Sequence, residues 1–119
     1  MEAARRNREI VAQVLRSNAG PYIMKNLVDE YMEAEQANRF LLIRTGWHRG
    51  EDYYALIQDV GWREDGTVII YADNTDEDLA EELIEAGIPA DKVLKAYDFN
   101  QSGRLNQGDS QNPLQRMAA

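Results

Sequence analysis

The dipeptide Asp65-Gly66, set between two runs of sheet-forming residues, constrains this chain more than any other feature. Glycine reaches positive φ without steric cost and aspartate tolerates it, so the pair suits the tight turn of a β-hairpin. Tyr53 to Val60 forms the run before the turn and Thr67 to Ala72 the run after it. A further run, Phe40-Leu41-Leu42-Ile43-Arg44-Thr45-Gly46-Trp47, leads into the short polar segment His48-Arg49-Gly50-Glu51, which reads as strand and then turn. The centre of the chain is therefore an antiparallel meander.

Helical patterns flank it. Ala3, Ala4, Ile10, Val11, Val14 and Leu15 return at helical spacing with Arg5 and Arg16 opposite, and Asn18-Ala19-Gly20-Pro21 stops the helix. After the meander, Thr75 can cap a helix whose first turn holds Asp76, Glu77 and Asp78 and whose buried stripe is Leu79, Ala80, Leu83 and Ile84. Gly87 suits the left-handed position past its end, with Pro89 beyond. Leu27 to Ala37 is ambiguous: Leu27, Val28, Tyr31 and Met32 fit a helix, Val28, Glu30, Met32 and Ala34 one side of an imperfect strand, and pattern alone slightly favours the helix. Val93-Leu94 is a short apolar piece before a polar tail. These readings predict a single α+β domain over residues 1–98, with a partly ordered tail over 99–119.

Charge narrows the function. The net charge is −8, but it divides unevenly: residues 1–26 carry +3, residues 27–98 carry −12 and residues 99–119 carry +1. An acidic body repels phosphate, so strong direct nucleic-acid binding is not expected, and any phosphate contact would fall to Arg5, Arg6, Arg8 and Arg16. The absence of cysteine excludes disulfides, thiol nucleophiles and cysteine-ligated metals. No apolar run reaches the roughly 20 residues a bilayer demands, which points to a cytoplasmic protein without membrane contact.

Four motifs could carry chemistry. Asp73, Asp76, Glu77 and Asp78 could ligate a metal for phosphoryl chemistry, but their place at a helix start explains them by capping and dipole effects. His48 is the only histidine and has no nucleophile motif near it, so it reads as a turn residue. Trp47 and Trp62 each follow a glycine and could form a stacking platform, although sheet packing accounts for them. The segment Asp98 to Asp109 places oxygen side chains at loop positions 1, 3, 5, 9 and 12, with glycine at 6, in the manner of an EF-hand calcium loop. Its twelfth residue is Asp109 instead of glutamate and Pro113 interrupts the exit helix, so the expectation is no calcium site. No catalytic, cofactor-binding or metal-binding residue is assigned.

The stretch from Phe40 to Val93 resembles the fdxN element excision controlling factor family, the XisI-like proteins of cyanobacteria. The matching pieces are Phe40 to Trp47, Asp65-Gly66-Thr67-Val68-Ile69-Ile70-Tyr71, and Asn74 to Pro89, whose Glu-Leu and Gly-Ile-Pro spacing is the most specific. With the N-terminal helix, the likeness covers about four-fifths of the chain. It differs at Tyr53-Tyr54-Ala55-Leu56-Ile57, where the family has cysteine and histidine, and at Tyr97-Asp98-Phe99, where the family has Phe-His-Pro.

The resemblance implies an antiparallel sheet flanked by helices and makes Leu27 to Ala34 its first strand, against the pattern's slight preference. The expected architecture is thus helix 3–18, a four-stranded antiparallel meander within 27–72, and helix 75–87 packed on one face. The resemblance implies an accessory factor in excision of a DNA element, acting through protein contacts without catalysis, beside an XisH-like nuclease-related protein or a recombinase. A homo-oligomer is also open. The competing classes are a calcium-modulated or direct DNA-binding module and a small metal-dependent hydrolase.

Overall fold

The computed structural model describes residues 2–22 and 26–97. Helix α1 (Glu2–Ser17) forms because Ala4, Asn7, Ile10, Val11 and Leu15 make one buried stripe at helical spacing. Asn7 is the polar member of that stripe. Its Nδ2 donates to the Gly66 carbonyl at 2.9 Å, which ties the helix to a turn 59 residues away. The chain then enters β1 (Gly20–Pro21), β2 (Leu27–Ala34), β3 (Arg39–His48), β4 (Glu51–Trp62) and β5 (Val68–Asp73), crosses through α2 (Leu79–Glu85), and ends in β6 (Val93–Lys95).

The sheet has six strands in the order β1-β2-β3-β4-β5-β6 and is mixed: β1 to β5 pair antiparallel, while β6 lies parallel to β5. This corrects the expected four-stranded antiparallel meander. The two added strands are two and three residues long, too short to show a period in sequence. β2 is a strand over Leu27–Ala34, as the family resemblance implies and against the slight helical preference of its pattern.

Each hairpin has its own turn chemistry. Between β2 and β3 the chain turns through a 3₁₀ segment and Asn38 at φ 52°. Between β3 and β4, Arg49 and Gly50 both take positive φ, as a two-residue hairpin requires. At Asp65-Gly66 only Gly66 is at positive φ, and Asp65 serves through its side chain, whose Oδ1 accepts from the Thr67 amide at 2.9 Å. That bond holds the Asp65 carboxyl below its ordinary pKa.

The second helix starts later than expected. Asp78, not Thr75, is its N-cap and accepts from the Ala80 and Glu81 amides. Thr75 instead closes a small turn, its hydroxyl accepting from the Glu77 amide. At the other end, the Ile88 amide donates to the Leu83 carbonyl and the Gly87 amide to the Ile84 carbonyl, the paired bonds of a Schellman cap with Gly87 at φ 127°. Both helices lie on one face of the sheet. Ile10, Val11 and Leu15 from α1 and Leu79, Ala80 and Leu83 from α2 form one core with Phe40, Val60, Val68 and Ile70.

Candidate functional site

Two β-bulges shape what the helices leave uncovered. The β3–β4 register shifts at Leu42/Ile43 and the β4–β5 register at Asp59/Val60. Bulges sharpen local twist and re-aim side chains. Here the adjacent residues Ile57 and Gln58 are both buried, a departure from the alternation of a regular strand.

On the helix side, beyond the first bulge, a groove of about 520 Å³ opens between β2, β3, β4 and the entry to α2. Asp29 and Arg44, directly opposite in register, pair through both carboxylate oxygens at 2.7 and 3.1 Å. The Arg44 guanidinium lies 3.5 Å from the centroid of the Tyr22 ring, so its charge is met on one side by a carboxylate and on another by a π-face. Gln58 sits at the groove base, only 2% exposed, accepting from Asn18 at 3.4 Å and donating to Asp73 at 3.5 Å. Asn18 also donates to Glu82 at 3.4 Å. Burial raises the Glu82 carboxyl against that donated bond, and Glu77, Asp73 and Glu85 raise it further.

The predicted acidic residues are distributed by helix entry. Asp73 accepts from Thr75 and Gln58 through Oδ1 and from the Leu79 amide through Oδ2, and Asp78 caps the helix, while Asp76 and Glu77 are exposed. Among the described residues, no group of three or more histidine, aspartate and glutamate side chains is placed to hold a metal ion. His48 ends β3 and meets Tyr53 edge-on, ring centroids 5.8 Å apart. The two tryptophans do not form a platform. Trp62 lies against the core with Nε1 donating to the Ala4 carbonyl at 2.8 Å, whereas Trp47 stands at the far end of the same hairpin opposite Asp52. The calcium-like segment Asp98 to Asp109 lies outside the described residues.

The face of the sheet away from the helices is the second uncovered surface. The register places Met32, Trp47 and Tyr54 on it, and packing against Arg39 and Gly61 places Tyr71 there; they are exposed by 44, 56, 70 and 38%. Ile43, which shares that face, is nearly buried, and the Arg39 guanidinium packs 4.1 Å over Tyr71 while bound to Asp59 at 2.8 and 3.0 Å. Large side chains that keep aromatic and thioether surface in water on one side of a sheet are the composition of a contact surface. Sequence reasoning missed both surfaces. The signal for the open face was present in the alternation of Ile43, Thr45 and Trp47, but which face the helices would cover was not.

A sheet backed by two helices on one face, with a polar groove beside them and exposed aromatic side chains on the other face, defines a small α+β domain. The profile of the XisI protein family matches residues 1–106, and the chain belongs to that family. No curated protein matches it by sequence. Among solved structures, a XisI-like protein from Anabaena variabilis ATCC 29413 superposes with a TM-score of 0.68 at 20% identity, covering 76% of this chain and 84% of that one. The fdxN element excision controlling factor XisI from the same organism superposes with a TM-score of 0.54 at 21% identity, covering 73% and 85%. At such identities the likeness concerns the fold. No helix among the described residues is long and apolar enough to cross a membrane.

Proposed function

We propose that this chain is an accessory controlling factor in the site-specific excision of a DNA element, acting through protein contacts and performing no catalysis of its own. The carrying observation is the helix-free sheet face, on which Met32, Trp47, Tyr54 and Tyr71 are each exposed. Exposed aromatics of this kind are the residues that anchor protein interfaces. Membership in the XisI family and the name of the solved excision controlling factor supply the biological setting. The partner in this reading is the nuclease-related protein or recombinase that performs the strand chemistry, which an acidic subunit of net charge −8 leaves to others.

The test joins capture to excision. Tagged wild type and a Trp47→Ser/Tyr54→Ser variant, both folded by circular dichroism, are expressed in the native host, and excision frequency is scored beside the captured proteins. The wild type should retain a recombinase or nuclease-related protein and support excision, and the variant should lose both. Excision unaffected by deletion of the chain, or cleavage of DNA by the purified chain alone, would overturn the reading.

A further inference from the structure

The phase of hydrogen bonding along β2 shows which of its backbone groups are left over. Trp47 donates its amide to the Asn26 carbonyl at 3.0 Å, and Leu27 lies opposite Gly46, so even-numbered residues of this strand bond to β3 and odd-numbered residues point the other way. On that other side, β1 engages only the first part: the Tyr22 amide donates to the Leu27 carbonyl at 3.1 Å, and Gly20 lies opposite Asp29. The outward amides and carbonyls of Tyr31 and Glu33 pair with no strand among the described residues. An edge of this kind templates an added strand.

This edge also has a wall. A groove of about 420 Å³ runs between α1 and the edge, bordered by Arg8, Ala12 and Arg16 on the helix and by Glu33 and Glu35 on the strand side. Its cations are already taken. Arg8 is bound to Glu33 at 3.0 Å and lies over Phe40, and Arg16 lies 5.0 Å over Tyr31. Glu9, Glu30 and Glu35 around the same edge have no ion pair among the described residues. The unmatched charge is negative.

We propose that the open edge of β2 is a strand-addition site for an extended, lysine- or arginine-bearing segment of a partner protein. Main-chain bonds to Tyr31 and Glu33 fix its register, and the free carboxylates select its charge. A second copy of this chain is the poorer occupant. A second copy would bring its own Glu30 and Glu35 carboxylates, unpaired among the described residues, to the same edge, and like charges brought together destabilise a strand pair. The proposal rests on reading the chain as a factor that works through protein contacts.

The test uses the full chain and two synthetic ten-residue peptides that alternate lysine with valine, one of them methylated on every second backbone nitrogen. Fluorescence anisotropy should give saturable binding of the unmethylated peptide. The methylated peptide, of equal charge, should bind about tenfold more weakly, the equivalent of one or two lost hydrogen bonds. Glu33→Pro removes an outward amide while leaving Met32 and Ala34 bonded to β3, and should weaken binding by a similar factor. Bound peptide should slow hydrogen exchange at Tyr31 and Glu33. Equal binding of both peptides would overturn the proposal, since charge alone would then explain it. So would absence of binding at about 1 mM, amides of Tyr31 and Glu33 protected in the free chain, or a dimer that the peptide dissociates. The methylated control keeps the test decisive if Glu33→Pro does not fold, and peptide binding requires no excision assay, so failure of the excision role is seen separately.

Discussion

Gly87→Ala probes the joint between the two helices. The residue sits at φ 127°, where an L side chain costs about 1–2 kcal/mol. Alanine narrows the unfolded ensemble and returns roughly 0.4–1 kcal/mol of that. A Cβ at this position would lie 3.2 Å from Ile10 Cδ1, and Ile10 is only 6% exposed, so the methyl has little room to retreat. Such crowding adds about 1 kcal/mol. The expected net loss is about 1.5 kcal/mol, read as a fall of roughly 1 M in the urea midpoint at unchanged slope. Ile10→Val deletes the methyl in question. The double variant should therefore be about 0.5 kcal/mol more stable than the two single losses predict. A Gly87→Ala loss below about 0.3 kcal/mol would refute the left-handed cap, and strict additivity would refute the contact with Ile10.

Gly46→Ala should be far worse, because its Cβ would fall on the backbone carbonyl of Asn26 at φ 139°; we expect a loss above about 3 kcal/mol, seen as failure to give a cooperative thermal transition. Tyr31 and Glu33 set the pH limits of the α1–β2 contact. Burial and the bond to Glu33 push the Tyr31 phenol up to about 12, so its contribution holds below pH 10 and is lost as pH rises towards 12, and absorbance at 295 nm should show one phenol titrating there that Tyr31→Phe removes. The bond from Tyr31 and the Arg8 pair lower the Glu33 carboxyl, so its contribution is present above the ordinary carboxylate range and is lost as pH falls through the lowered value; Glu33→Gln should flatten that acid limb in a denaturation series. Duplex DNA should bind no tighter than about 1 μM at physiological salt, because Arg8 is engaged by Glu33 and Arg16 by Tyr31, leaving Arg5 and Arg6 of the four expected contacts; a tighter constant in a gel-shift series would refute this.

The parts of the fold legible in sequence are those whose burial leaves a clean apolar pattern. α1 showed its stripe because only one of its faces meets the sheet, and β5 because Val68, Ile69 and Ile70 form an unbroken buried run. β2 was blurred for the opposite reason. Tyr31 and Glu33 face the arginines of α1 while Val28 and Met32 lie on the open side, so neither face is purely apolar and the alternation fades. The start of α2 was legible only to within a few residues, since Thr75, Asp76 and Asp78 can all cap; the choice fell to Asp78 because Asp73, on β5, anchors the Leu79 amide. The groove could not be read at all. Gln58 is an ordinary polar residue in sequence, and nothing in the pattern shows that it faces the helix side in phase with Val60, beside Asn18 and Asp73.

The bulge in β4 divides the sheet into two halves with different freedoms. Every strand residue of the central core, Phe40, Val60, Val68 and Ile70, lies on the side of the shifts nearest the helices. The far half, from Ile43 through the Arg49-Gly50 turn to Leu56, holds Trp47, Tyr54 and the Arg44 end of the groove and contributes nothing to that core. Apart from Gly46, where no side chain fits, and the buried Ile43, substitutions there do not touch that central core. Of the stretch Tyr53 to Ile57, where this chain departs from the cysteine and histidine pattern it otherwise resembles, all but Ile57 falls within that far half. Sequence change in the distal hairpin therefore leaves the central core of the helix-backed half untouched.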